Sequence, residues 1–109
     1  MTLRRFVDVF ATNPARVTGM YPRKGAIAPG SDADIGLWDP RAGGTIRLED
    51  LHHDGDYSPW EGWPVTARPV VVLLRGRVVV EDGQLHGSPQ DGRFVPRRIA
   101  ADVLGGVAF

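Results

Sequence analysis

Tyr21-Pro22-Arg23-Lys24-Gly25-Ala26-Ile27-Ala28-Pro29-Gly30-Ser31-Asp32-Ala33-Asp34-Ile35-Gly36-Leu37-Trp38-Asp39 is the stretch on which the rest of the chain is organised. It reads as two short extended segments, Lys24 to Ala28 and Ile35 to Asp39, joined by a tight turn at Pro29-Gly30. Proline presets φ there and glycine tolerates positive φ. Pro40 has no N–H to give a ladder and stops the second segment. Alternation puts Ile35, Leu37 and Asp39 on one face and Gly36 and Trp38 on the other.

Downstream lies the strongest β signal. Pro69 to Leu74 and Arg77 to Glu81 are rich in valine and leucine, and Gln84-Leu85-His86 follows. Arg75-Gly76 and Asp82-Gly83 separate them as hairpin turns, so a three-strand meander is predicted. The valine runs do not alternate with polar residues, which requires cover on both faces of the sheet. Between the two β regions, Thr45 to Leu48 is a short strand. Glu49 to Trp63 is a long polar and aromatic loop of the kind that is functional or lies at an interface. Trp60 and Trp63 in it are not residues to leave bare in solvent.

Upstream, Leu3, Phe6, Val7 and Phe10 share one helical stripe over Thr2 to Ala11, with Thr2 as cap. A second short helix is expected from Thr12 or Asn13 as cap, with Pro14 in its first turn and Gly19 as its stop. After the meander come a loop, a basic-aromatic arm at Arg93-Phe94-Val95-Pro96-Arg97-Arg98, a helical turn or two within Ile99 to Leu104, and a frayed end at residues 105–109. The organisation is 1–20, two short helices; 21–92, sheet; 93–109, C-terminal arm. The fold class is mainly β with two short N-terminal helices.

Composition narrows the function. The 109 residues suit one domain with a modest core. Thirteen basic and thirteen acidic residues cancel, which gives no electrostatic reason to expect nucleic acid or an anionic membrane as partner. The absence of cysteine removes disulfides and thiolate zinc sites and suits a reducing cytoplasm. No spanning segment and no signal peptide are expected.

His52-His53-Asp54-Gly55-Asp56 is the one cluster of metal-ligand residue types. Adjacent histidines on an extended chain point apart, so a solvated loop is the reading for it. Ser31, Ser58 and Ser88 sit in turns without a nucleophile elbow. Lys24, the only lysine, is expected to be solvated rather than a Schiff-base or carbamylated residue. Arg93, Arg97 and Arg98 suit a partner surface or solvent, with phosphate or carboxylate as the alternative. No catalytic, cofactor-binding or metal-ligating residue is assigned.

The order of motifs resembles the C-terminal region of cyclic amidohydrolases, the dihydropyrimidinase and hydantoinase branch. The resemblance rests on Thr12-Asn13-Pro14-Ala15-Arg16, Gly19 to Gly25, Ile27 to Ile35 and Trp38-Asp39-Pro40. It continues through Asp56 to Gly62, Arg75-Gly76, Glu81-Asp82-Gly83 and Gly92-Arg93-Phe94. It covers about residues 3 to 98. It implies a metal-dependent hydrolase of cyclic amides in which a (β/α)₈ barrel is paired with a β-sandwich. The present residues would be the last barrel helices and part of that composite sandwich. The family's metal ligands, histidines, a carbamylated lysine and an aspartate, lie in the barrel and match no position here, so no turnover is expected from these residues alone. A partial sandwich needs a cover: a homodimer through the strands and the Phe94 arm, a barrel-bearing chain, or a rearranged small sandwich. Two readings stay open beside the enzyme portion. One is the sandwich-completing subunit of a split amidohydrolase, the other a non-enzymatic assembly or binding module.

Overall fold

The computed structural model describes residues 1–105; residues 106–109, most of the expected frayed end, lie outside it. The chain opens with α1, Leu3–Val7, whose first turn is capped by the Thr2 hydroxyl accepting from Arg5 N at 3.2 Å. It continues without a break through one wide π turn, Asp8–Thr12, into α2, Asn13–Val17. The expected second cap is absent. Thr12 is helical (φ −68°, ψ −51°) and its hydroxyl donates instead to Gly25 O at 2.9 Å. Pro14 explains the wide turn, because it cannot donate to the carbonyl of Phe10 and its ring crowds that carbonyl. A helix can therefore run through a proline that reads as a start signal.

Gly19, at φ +74°, ends the helical run as expected. Met20 N donates to Ala15 O at 2.8 Å and Gly19 N to Arg16 O at 3.0 Å, the paired bonds of a Schellman stop. The Pro29-Gly30 turn also forms, with Ser31 N donating to Ala28 O at 3.0 Å and Gly30 at φ +88°. The segment before it is not a strand. The return segment is instead tied to the residues just before Lys24 by single bonds, Asp32 N to Arg23 O at 2.8 Å and the Ser31 hydroxyl to Pro22 O at 2.7 Å.

The strand β1, Ile35–Asp39, pairs with a distant partner instead. The main sheet is antiparallel in the order β1, β4 (Arg68–Leu74), β5 (Arg77–Glu81) and β6 (Gln84–Leu85). Ile35 lies opposite Leu73 and Leu37 opposite Val71, with an irregularity before Trp38. The predicted meander is present. Arg75 (φ 49°) with Gly76 (φ 81°), and Asp82 (φ 47°) with Gly83 (φ 79°), have positive φ at both central positions, the hairpin turns that match strand twist. A second, two-stranded sheet pairs β2, Gly44–Thr45, with β3, Pro64–Val65. The strand expected at Thr45 to Leu48 is thus shorter and earlier, and Leu48–Asp50 is a 3₁₀ turn. The loop closes on itself through Trp60 and Trp63, which meet edge-on at 5.2 Å. The C-terminal arm reaches back to the helix stop, where Arg98 N donates to Gly19 O at 2.9 Å, and ends in α3, Ala101–Leu104.

Very little of this is core. Ala15 is the only buried hydrophobic residue among those described. Val70 to Leu74 are each half-buried, so both faces of β4 are covered only in part. The chain exposes 8970 Å², against roughly 6,000 Å² for a closed monomer of this mass. Its radius of gyration is 16.3 Å, against about 13 Å for a compact chain of this length.

One close approach holds the helical run to the segment that leads into β1. A Cβ on Gly25 would lie 2.6 Å from Ala15 Cβ and 2.8 Å from Ala11 O, whereas one on Gly30 would meet nothing within 4 Å. Both glycines have positive φ. Gly30→Ala is expected to cost about 1 kcal/mol, the left-handed penalty alone. Gly25→Ala is expected to cost about 3 kcal/mol, with overpacking added. Urea unfolding of the two variants measures this, and equal midpoints would refute the packing part.

Candidate functional site

The helical run and β1 meet along an open apolar trough rather than a closed seam. Phe6 stacks on Phe10 with ring centroids 4.7 Å apart and meets Trp38 of β1 edge-on at 6.4 Å. Two hollows share this centre. One, of about 480 Å³, runs past Phe10, Ala15 and Ile27. The other, of about 760 Å³, runs past Leu3, Pro40 and Ala67. Phe6, Val7, Gly36 and Trp38 line both, which makes one continuous apolar face. The Trp38 indole lies close over Gly36, where a Cβ would come within 3.1 Å of Nε1. The face is open: Leu3 is 87% exposed, Phe10 66%, Ile27 84% and Trp38 54%. Isolated soluble chains rarely present a contiguous apolar face of this kind, and where they do it marks an interaction surface, a ligand groove or an aggregation-prone patch.

One wall of the trough is ionic. Lys24 Nζ sits 2.9 Å from Asp32 Oδ2 and also hydrogen-bonds Asp34, while Arg23 Nε donates to Asp32 Oδ2 at 3.0 Å. Asp34 Oδ1 in turn accepts from Arg75 N at 2.8 Å, pinning the β4–β5 turn. The Pro29-Gly30 turn brings Asp32 and Asp34 back over Lys24. The lysine is therefore mostly enclosed rather than solvated as expected, its side chain only 17% exposed. Burial works against its charge, but the hydrogen bonds it donates to Asp34 and Asp32 outweigh it and hold its pKa above the ordinary value. An amine held protonated is the wrong species for Schiff-base or carbamate chemistry. The hydrogen bond from Lys24, with help from Arg23, lowers the pKa of Asp32 against the opposing effect of desolvation.

The residues present do not suit the metal centre that the resemblance implies. Among the described residues no three histidine, aspartate or glutamate side chains converge. His52 and His53 lie on an exposed loop, and His53 Nδ1 already accepts from Gly55 N at 2.9 Å. Ser31 and Ser58 serve their own turns, donating to Pro22 O and accepting from Trp60 N at 3.2 Å. Ser88 belongs to a capping box with Asp91. No described helix is long and apolar enough to cross a membrane.

The sheet keeps open edges beside an uncovered apolar face. Comparison with known proteins gives the family. A model described as the Amidohydrolase family matches residues 1–79, and the chain belongs to that family. The D-hydantoinase of Ralstonia pickettii is 51% identical over 98 residues, which are 90% of this chain and 21% of that protein. A solved D-hydantoinase structure superposes with a TM-score of 0.88 at 50% identity, covering 91% of this chain and 22% of that one. The dihydropyrimidinase from Brevibacillus agri gives a TM-score of 0.88 at 44% identity, covering 92% and 22%. The chain thus spans about a fifth of the length of the curated relatives it matches.

The ionic wall has a definite pH signature. The lowered Asp32 stabilises the fold above its ordinary 3.8, and that contribution is lost as pH falls through its folded value. The raised Lys24 stabilises below its ordinary 10.5, and that contribution is lost as pH rises through its folded value. Lys24→Met is expected to lower the melting temperature at pH 7 by about 4–8 °C, equivalent to about 1 kcal/mol. The difference from the unmodified chain is expected to shrink below the ordinary carboxylate range. Thermal melts against pH measure it, and a difference unchanged in strong acid would refute the assignment.

Proposed function

We propose that this chain serves as the C-terminal, sandwich-side portion of a hydantoinase-like cyclic amidohydrolase, an enzyme that hydrolyses non-peptide C–N bonds in cyclic amides. Its own task is to complete the fold. The metal-centred chemistry belongs to the barrel that the apolar face packs against, in a cytoplasmic setting. The observation that carries this reading is the uncovered face from Leu3 through Phe6 and Phe10 to Trp38, on a chain with one buried hydrophobic residue among those described. Burying that face contributes roughly 25 cal/mol per Å² of apolar area. The surface in excess of a closed monomer, about 3,000 Å² on this chain alone, is ample for an obligate interface, which buries about 2,000–5,000 Å² or more counted over both partners. A second reading is self-association, favoured by Phe94, which stands 91% exposed on the C-terminal arm.

Co-expression tests both readings. The chain by itself is expected to give no turnover of a hydantoin or of dihydrouracil. Paired with a polypeptide spanning the remaining four-fifths of a D-hydantoinase-like enzyme, it is expected to form a stable complex and restore hydrolysis. Phe10→Asp is expected to weaken that complex more than about tenfold, since a buried aromatic is replaced by a charge. Turnover that copurifies with the chain alone would overturn the reading. So would a chain that stays monomeric and folded and ignores the barrel polypeptide. Complex formation abolished by Phe94→Asp but not by Phe10→Asp would favour self-association.

A further inference from the structure

Away from the apolar face, the turn between β4 and β5 and the 3₁₀ turn Pro89–Asp91 enclose a polar hollow of about 350 Å³. Its polar lining is Arg75, Arg77, Gln90, Asp91 and Arg93. The one carboxylate among them is committed inside the chain. Asp91 Oδ1 accepts from Arg77 Nη1 at 2.7 Å, and Oδ2 accepts from Ser88 N at 2.7 Å. The Asp91 backbone carbonyl accepts from Arg75 Nη2. Asp91 therefore fixes two guanidiniums from below and is itself oriented by its capping box. Arg75 is held a second time, through its backbone N–H to Asp34. Arg93 lines the same hollow from the chain just beyond and makes no side-chain hydrogen bond among the described residues.

Three guanidiniums against one carboxylate leave two positive charges around one small cavity. Each guanidinium carries five N–H donors in a planar fork, and Arg75 and Arg77 each spend one on Asp91. The remaining forks and the Gln90 amide form a donor-rich lining whose only acid is already engaged. We propose that this hollow binds a small dianionic oxyanion of the phosphate class, with Arg93 closing on an anion that Arg75 and Arg77 are pre-positioned to receive. Charge selects the class, because a dianion neutralises the two excess charges where a monoanion leaves one. Geometry agrees, since guanidinium forks engage tetrahedral oxyanions through paired bonds. The proposal is independent of the amidohydrolase reading.

Isothermal titration of the full chain with inorganic phosphate, against acetate at matched ionic strength, tests it. Phosphate is expected to bind about tenfold or more tightly than acetate. Arg93→Ala removes an exposed side chain with no described bond and leaves the fold intact; it is expected to weaken phosphate binding about tenfold or more. Arg97→Ala, on the same arm but outside the hollow, is expected to leave it unchanged. NMR signals of the Arg75 and Arg77 guanidinium N–H groups are expected to shift with phosphate and not with acetate. Equal affinity for the two anions, or equal weakening by Arg93→Ala and Arg97→Ala, would overturn the proposal by reducing it to general surface charge.

Discussion

The helical run and the segment that leads to β1 are held together where the backbone at Gly25 passes against Ala15 and Ala11 at a distance that only a residue without Cβ permits. Everything else in the N-terminal half follows from that crossing. The helix must stop where Gly19 stops it. The chain must turn back at Pro29-Gly30, and β1 must leave the crossing in the direction that meets β4. The Thr12 hydroxyl secures the crossing from the other side by donating to Gly25 O. Ala15, the one buried hydrophobic residue described, is buried by this contact.

From that crossing outward, the chain pairs its buried polar side-chain atoms and leaves its apolar burial incomplete. No described buried side-chain nitrogen or oxygen lacks a partner, yet Leu3, Phe10 and Ile27 stand open. The asymmetry has a physical basis. Polar groups must be paired locally, since an unpaired buried donor costs about 1–3 kcal/mol wherever it lies. Apolar surface is non-directional and can be covered by whatever arrives. A chain can therefore pair its buried polar side chains and still leave an apolar face open.

The sequence was most legible where instructions are local. The Thr2 cap, the Gly19 stop, the Pro29-Gly30 turn and the two hairpin turns at Arg75-Gly76 and Asp82-Gly83 each rest on residues within a few positions of one another. The strand partner of Ile35–Asp39 was not legible, because Leu73 lies far along the chain and nothing near Lys24 to Ala28 announces that this segment will not pair. Pro14 misled for a different reason: a proline that suits a first turn also suits the break in a continuing helix, and a π turn leaves no signature in residue types. Half of the candidate face was visible as the Leu3-Phe6-Val7-Phe10 stripe. Its continuation onto Gly36 and Trp38 depends on tertiary placement. The Lys24 cluster had a readable signal that was missed. Asp32 and Asp34, two apart on an extended approach just after a reversing turn, present both carboxylates to the side from which Lys24 has come.

That cluster also limits what the apolar face accepts. Lys24, Asp32 and Asp34 line the same hollow as Phe6, Phe10 and Trp38, so any occupant that covers the aromatics also strips water from the ions. Within the cluster one lysine, assisted by Arg23, faces two carboxylates that are already bonded to it and to the Arg75 backbone. A neutral apolar surface can close over such a set at little electrostatic cost, because its charges stay paired as the dielectric falls. An occupant that brought its own unpaired charge would bear the full desolvation penalty beside groups with little bonding capacity to spare. For such an occupant the aromatics would supply most of the attraction, whereas the ionic wall would discriminate against wrong partners and wrong registers.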